Sequence, residues 1–183
     1  MNVYHTGYLA IPEPDVHYGR INADFGQGFY VTDDPEFARR WAREKRGCQA
    51  ILNTYDLDLE GLNVKTYQRD LSWIHTILDN RNRNRDSDAG ADAVIAPVAA
   101  DTIYDAMGIV SAGYLSAEEA LSILNCGIAY RQIVLKTELA ASHLRFLNAE
   151  VIDSEQLKKY RRVIDEEEVW FQKAMAEQLA AMQ

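Results

Sequence analysis

Residue types suited to binding a flat, hydroxyl-bearing ligand are concentrated near the N-terminus. Between residues 5 and 30 the chain includes His5, Gly7, Tyr8, Tyr18, Gly19, Gly26, Gly28, Phe29 and Tyr30. Glycine lets a ligand approach the backbone closely, and aromatic faces stack on flat rings. A histidine at a strand end can hydrogen-bond to a ligand hydroxyl. Ordinary core packing is the commoner role for such residues, so spacing alone leaves both roles open for His5 and Tyr30.

The histidines and cysteines lack the spacing that metal sites use. The four histidines form no HxxxH or HxH pair, and Cys48 and Cys126 stand far apart. The chain also has no GxGxxG after a strand and no Walker motif, which are the usual phosphate cradles. We therefore expect no metal. Two cysteines without a disulfide framework favour a reducing compartment.

The composition is that of a globular domain. The chain has 183 residues, 48% hydrophobic and 26% charged, which suffices for a substantial core in one domain. The formal net charge of -9 disfavours nucleic acid as an obligate partner, because the overall field repels phosphates. Neither a run of about 18 apolar residues nor a secretory signal is found. We expect a cytoplasmic protein that does not enter a membrane.

Two short strands are predicted to position the N-terminal residues. The stretch VYHTGYL predicts a first strand at about residues 2 to 5, with His5 at its end. The segment from His17 to Gln27 is glycine-rich and favours a loop, and GFYVT after it predicts a strand that contains Tyr30. Asp33 or Asp34 before Pro35 then predicts a helix of about twelve residues that ends near Gly47.

Later segments alternate between strands and helices. Strands are predicted at 49–59, in AVIAPV and in RQIVLKT, and helices around 71–78 and in SAEEALSIL, where Ser116 and Glu119 suit a capping box. The stretch DNRNRNRDSDAGAD is expected to be exposed and to carry Arg81, Arg83 and Arg85 in solvent.

An acidic helix is predicted from Ser154 onward. Its expected packing positions are Val163, Val169, Trp170, Met175 and Leu179. The acidic run from Asp165 to Glu168 is expected to form an exposed helix face.

Separated blocks carry a resemblance to a known family. In chain order they are VYHTGYLAIPEPD, GRINADFGQGFYVT, ADAVIAPVAADTIYD, GYLSAEEAL and YRQIVLKT. Together they resemble the bacterial domain-of-unknown-function 3990 family, whose members are similar to ADP-ribosyltransferases, over about residues 3 to 140. The resemblance implies an α+β fold: an ADP-ribosyltransferase-like split β-sheet core with flanking helices and a C-terminal acidic helix. It implies such a domain at residues 1–150, with 151–183 as a helical extension of the same domain.

ADP-ribosyltransferases hold NAD in a bent form with a His-Tyr-Glu or Arg-Ser-Glu signature on three strands. The first position falls on His5, which the resemblance implies contacts the adenosine-side ribose. The backbone of Thr6 and Gly7 is implied to hold the nicotinamide carboxamide, although relatives often have His-Gly-Ser where this chain has His-Thr-Gly. The second position falls on Tyr30, whose ring is implied to stack on nicotinamide.

The third position falls on Gln132, where the signature has glutamate. A carboxylate binds the ribose 2′-hydroxyl and stabilises the positive charge that develops as nicotinamide leaves, which an amide does only in part. Gln132 is expected to orient the ribose. Asp24, Asp101 and Glu138 are candidate carboxylates to complete the site, and Asp24 is favoured because its loop is expected to approach that ribose.

The predicted site has two overlapping sets of residues. The catalytic set is His5, Asp24, Tyr30 and Gln132. The NAD-binding set is His5, Thr6, Gly7, Arg20, Gly28, Phe29 and Tyr30. Arg20 is assigned to the NAD diphosphate, which its planar guanidinium can pair with.

The resemblance implies an enzyme that uses NAD as co-substrate and transfers ADP-ribose to a macromolecule, with protein a better candidate than nucleic acid. Domains of this family look like toxins of bacterial toxin-antitoxin pairs, so a small antitoxin protein is an expected partner. The alternatives are a non-catalytic NAD- or ADP-ribose-binding module, an NAD glycohydrolase, and a nucleic-acid-modifying transferase, against which the net charge counts.

Overall fold

The described part of the chain folds into two β-sheets with helices packed against them. A computed structural model describes residues 1–82, 88–99 and 116–181. The fold is mixed α/β, and its strands are divided between a three-stranded and a four-stranded sheet. No helix in these three ranges is long and apolar enough to cross a membrane.

The strands follow the apolar segments of the sequence. In chain order they are β1 (Asn2–Gly7), β2 (Phe29–Val31), β3 (Ala50–Leu57), β4 (Val64–Thr66), β5 (Ala93–Pro97), β6 (Arg131–Leu135) and β7 (Leu144–Ile152). The first sheet has the order β1-β3-β7 and is antiparallel throughout. The second has the order β2-β6-β5-β4, in which β4 and β5 pair in parallel and the other described neighbours are antiparallel. The strands predicted around His5, around Tyr30, at 49–59, in AVIAPV and in RQIVLKT are confirmed.

The two sheets meet at one bridge and diverge beyond it. Tyr4 of β1 and Thr32, just after β2, exchange backbone hydrogen bonds of 2.8 and 3.0 Å. Beyond this bridge β1 and β2, both within the described residues, form no further ladder. A gap therefore opens between the strand that carries His5 and the strand that carries Tyr30.

Two of the described helices begin at predicted caps. In chain order the described helices are α1 (Pro35–Arg40), α2 (Leu71–Arg81), α3 (Ala117–Leu124), α4 (Glu138–Ser142) and α5 (Ser154–Ala181), and a 3₁₀ turn covers Val16–Tyr18. The side chain of Asp34 accepts hydrogen bonds from the first turn of α1, with Pro35 at its start. Ser116 and Glu119 form the predicted capping box on α3.

The predicted length of α1 is wrong, because the helix has six residues and ends at Arg40. The guanidinium of Arg43 turns back and donates to the carbonyls of Arg40 and Ala42 at 2.6 and 3.0 Å, where a continued helix would bond its own N–H groups. Lys45 and Cys48 then form a backbone bridge around Gly47, whose φ is 76°. This tight turn replaces the expected second half of the helix.

Helix α5 packs on the core through a different stripe from the one predicted. Phe171 is 2% exposed, and Ile164, Met175 and Leu179 pack against the same cluster. The prediction is right for Met175 and Leu179 and wrong for Val169 and Trp170, which are 69% and 50% exposed. The buried positions recur every three or four residues; Val169 falls on the opposite side of that stripe and Trp170 on its flank.

The acidic run on α5 is also not wholly exposed. Glu167 is buried, and it accepts hydrogen bonds from Arg40 Nη1 at 2.5 Å and from the Tyr130 hydroxyl at 2.8 Å. Burial, aided by the Glu167 carboxylate, raises the pKa of Tyr130 to about 12, so the hydroxyl stays protonated and donates. The expectation of an exposed face is wrong for Glu167, because this carboxylate pairs α5 with α1.

Candidate functional site

His5 projects from β1 against β2. Its ring centroid lies 4.6 Å from that of Phe29, and its Nδ1 lies 2.8 Å from the Tyr30 carbonyl oxygen. Because a carbonyl only accepts, the proton of the neutral ring is on Nδ1, and Nε2 keeps its lone pair. Burial lowers the pKa of His5, opposed in part by the Tyr30 carbonyl, so the ring is neutral at pH 7. Nε2 is therefore able to accept a hydrogen bond from a ligand hydroxyl.

The backbone of Thr6 faces the gap between β1 and β2. Successive residues of an antiparallel strand point their N–H and C=O groups to opposite sides, and those of Tyr4 point toward Thr32, away from β3. Thr6 is two residues on and points the same way. Its side chain donates to the Ala38 carbonyl at 2.6 Å and fixes this end of β1 to α1. An N–H and C=O pair at a strand edge matches the donor and acceptor of a carboxamide.

The loop before β2 encloses the hydroxyl of Tyr30. This hydroxyl donates to the Gly26 carbonyl at 2.7 Å and accepts from the Phe25 N–H at 3.1 Å. Gly26 has a φ of 75°, in the left-handed region that glycine adopts without strain. The Lys136 ammonium donates to the Phe25 carbonyl at 2.5 Å. Tyr30 is consequently held at its hydroxyl end, while its ring is half-buried.

Gly28 packs closely against β6, and Phe29 packs against β3 of the first sheet. A Cβ on Gly28 would lie 2.7 Å from the Leu135 carbonyl oxygen and 2.8 Å from Val134 Cγ1. Phe29 is buried and packs edge-on against Tyr55, with ring centroids 5.8 Å apart. These contacts place β2 tightly on β6 and support the ring of His5.

Asp24, Arg81 and Gln132 form a polar cluster at the start of β6. Gln132 is 3% exposed, and its Nε2 donates to Asp24 Oδ2 at 3.3 Å and to the Pro97 carbonyl at 3.1 Å. Both partners only accept, which fixes the amide orientation and leaves Oε1 as an acceptor. Asp24 Oδ1 accepts from Arg81 Nε at 3.0 Å and Nη2 at 2.6 Å. The favoured candidate carboxylate thus contacts the glutamine at the third signature position.

The structure brings Asp24, Tyr30 and Gln132 together. Tyr30 pairs with Val134 across β2 and β6, and Gln132 lies two residues before Val134, so both side chains share one face of the sheet. Asp24 directly precedes Phe25, whose N–H binds the Tyr30 hydroxyl. His5 contacts the same strand from the side of Phe29, and its hydrogen bond to Tyr30 is made to the carbonyl oxygen.

Other predicted residues lie apart from this cluster or outside the described residues. Glu138 is exposed in the first turn of α4, which follows the opposite end of β6 from Gln132. Arg20 is exposed on the loop before β2, and it makes no ion pair with any described residue. Asp101, Arg83 and Arg85 lie outside the described residues. Among the residues that are described, no group of three or more His, Cys, Asp or Glu is placed to hold a metal ion.

Sequence reasoning missed Arg81 and Asn80. Arg81 was expected in solvent, but its side chain is 27% exposed and pairs with Asp24. Asn80 is 3% exposed and donates to the Asp24 carbonyl at 2.9 Å. The available signal was helical phase, because Asn80 and Arg81 follow the buried Ile77 by three and four residues and continue its face of α2.

Comparisons with curated proteins and with solved structures find no match to the chain. A family model described as "Protein of unknown function (DUF3990)" matches residues 1–146, from the start of the chain into β7. The match includes His5, Asp24, Tyr30, Arg81 and Gln132 and stops before α5. Its description states no activity, so the ADP-ribosyltransferase resemblance stays a prediction. Since the model matches most of the chain, this protein belongs to the DUF3990 family of proteins of unknown function.

Proposed function

We propose that this protein is an NAD-dependent mono-ADP-ribosyltransferase that modifies a macromolecular acceptor, a protein rather than a nucleic acid. The observation that carries the proposal is the Asp24 carboxylate, 3.3 Å from Gln132 Nε2. The resemblance calls for a carboxylate at position 132, and the loop before β2 supplies one at the same end of β6. Asp24 thereby compensates for the neutral amide.

A carboxylate at this point suits cleavage of the bond between nicotinamide and ribose C1′. When that bond breaks, its electron pair leaves with nicotinamide and positive charge develops on the ribose. Among the described residues Oδ2 of Asp24 receives one long hydrogen bond, from Gln132, and it is available to stabilise this charge. The acceptor nucleophile then bonds to C1′ and releases its proton, so that ADP-ribose is transferred.

The remaining groups fit the rest of NAD. His5 Nε2 accepts a hydrogen bond from a ribose hydroxyl, and the Thr6 backbone presents one donor and one acceptor to the carboxamide. The half-buried ring of Tyr30 is held at its hydroxyl, and we assign it to stacking on nicotinamide. The exposed Arg20 lies on the same loop as Asp24 and suits the diphosphate.

The test is nicotinamide release from NAD by the purified protein, with and without cell lysate. We compare the wild type with Asp24→Asn and with Asp165→Asn, an exposed aspartate on α5 as the matched control. The expected loss for Asp24→Asn is about 100-fold in rate, the scale of removing one preorganised electrostatic contact, with no change for the control. Equal rates for all three proteins would reject the assigned role of Asp24.

The fate of ADP-ribose separates the transferase from its alternatives. Isotopically labelled ADP-ribose recovered on a lysate protein supports the transferase, and free ADP-ribose supports an NAD glycohydrolase. NAD binding without nicotinamide release supports the non-catalytic binding module. The ion pair of Asp24 with Arg81 is the observation that favours this alternative, because Arg81 offsets the charge of the carboxylate. In the transferase case we expect growth arrest on expression, relieved by a small antitoxin protein.

A further inference from the structure

We propose that Arg81 is a positioning residue, which holds the Asp24 carboxylate in the orientation that nicotinamide release requires. The inference rests on the proposed function and concerns the same site. Arg81 Nε and Nη2 both donate to Oδ1, at 3.0 and 2.6 Å. The side chains of Asp24 and Arg81 are 17% and 27% exposed, so the pair is shielded from much of the solvent that weakens surface ion pairs.

Helix α2 restrains Asp24 at two points. Its last turn supplies Arg81 to the side chain and Asn80 to the main-chain carbonyl, the latter at 2.9 Å. Two donors on Oδ1 restrict rotation of the carboxylate, and Gln132 steadies Oδ2 from β6. Oδ2 therefore keeps a defined position while retaining a lone pair that can accept a second hydrogen bond.

The benefit of Arg81 is geometric. Its positive charge opposes the positive charge that develops on the ribose, so Arg81 does not stabilise that charge directly. Without the guanidinium, the carboxylate can rotate about its Cα–Cβ and Cβ–Cγ bonds, and a displacement of about 1 Å in a reacting group costs up to about 100-fold in rate. The groups assigned to NAD binding have other described partners: His5 bonds to the Tyr30 carbonyl, the Thr6 side chain to the Ala38 carbonyl, and the Tyr30 hydroxyl to the Gly26 carbonyl.

The experiment compares Arg81→Gln, Arg81→Lys, Asp24→Asn and the double variant Asp24→Asn with Arg81→Gln. Arg145→Gln is the matched control, because Arg145 also pairs with an aspartate, Asp56 at 2.8 Å, but is 72% exposed on β7. Three quantities are measured for each protein: kcat for nicotinamide release, Kd for NAD, and Tm. The control is expected to match the wild type.

Arg81→Gln is expected to lower kcat by about 10- to 100-fold while Kd for NAD stays within about threefold. Arg81→Lys, which keeps one charged donor, recovers part of the rate. The double variant is no slower than Asp24→Asn alone, because Arg81 acts through Asp24.

The inference is overturned, while the proposed function stands, if the kcat losses of the two single variants multiply in the double variant. An unchanged kcat in Arg81→Gln would overturn it in the same way. A parallel drop of kcat, NAD affinity and Tm in both Arg81 variants would reduce Arg81 to a structural role. If the wild type itself releases no nicotinamide, the proposed function fails, and this inference fails with it.

Discussion

Replacing Gly28 with alanine tests how closely β2 must pack on β6 to hold Tyr30. The added Cβ would lie 2.7 Å from the Leu135 carbonyl oxygen, against at least 3.4 Å for an ordinary contact, so one strand must move by about 0.7 Å. It would also lie 2.8 Å from Val134 Cγ1, in the residue that pairs with Tyr30. The obstacle is a backbone atom of a central strand, which cannot rotate away.

The expected cost follows from the behaviour of overpacked cores. Forcing a methyl group into such a site destabilises a protein by about 1–3 kcal/mol. For a chain of this length each kcal/mol lowers Tm by about 2–4 °C, so we expect a fall of about 2–12 °C. Under the proposed function, the displacement of Tyr30 also lowers nicotinamide release by about tenfold or more.

Thermal unfolding followed by circular dichroism measures the first effect. Gly90→Ala is the matched control, since nothing lies within 4 Å of a Cβ at that position. The control is expected to keep or slightly raise Tm, because alanine restricts the unfolded chain. A Tm for Gly28→Ala within about 1 °C of the control would refute the argument that β2 and β6 are in unyielding contact.

Further predictions concern the core, the site and the pH dependence of stability. Phe171→Ala is expected to destabilise the fold by about 3–5 kcal/mol in chemical denaturation and the exposed Val169→Ala by under about 0.5 kcal/mol; equal losses would contradict the packing of α5. Tyr30→Ala is expected to impair NAD use more than Tyr18→Ala, which removes a ring that is 92% exposed, and equal rates of nicotinamide release would remove Tyr30 from the site. Burial lowers the pKa of His5 in the folded state below 6.5, so the unfolded chain binds more protons as pH falls below 6.5, and stability declines there. The fall in Tm from about pH 7.5 to about pH 5.5 should therefore be smaller in His5→Gln than in the wild type. The control His75→Gln, at an exposed position, is expected to show the same fall in Tm as the wild type. An identical fall in His5→Gln and in the wild type would contradict this account.

The sequence predicted the starts of helices better than their ends or their packing faces. The caps at Asp34 and Ser116 marked helix starts correctly, because a cap depends on a side chain and the next three N–H groups. The end of α1 was wrong, since it depends on the Arg43 side chain and a turn that helix propensity does not encode. The packing stripe of α5 was misplaced, because a charged helix with scattered apolar residues allows more than one phase.

The candidate site divides in the same way. His5, Tyr30, Gln132 and Asp24 were singled out from residue type, position and resemblance, and the structure brings the last three into one cluster. Their partners were not predicted: Arg81 comes from a helix 57 positions away from Asp24 in the chain. A contact over that distance leaves no periodic trace in a single sequence.

The sequence by itself determined the family, the mixed α/β class and the strands that carry His5 and Tyr30, because short-range patterns of apolar, turn and capping residues encode these features. Only the tertiary structure decided that Asp24 accompanies Gln132, that Arg81 binds Asp24, and that β1 and β2 separate after one bridge. These features depend on how distant segments pack, and packing is set by the shape and hydrogen bonding of the whole core rather than by any local pattern.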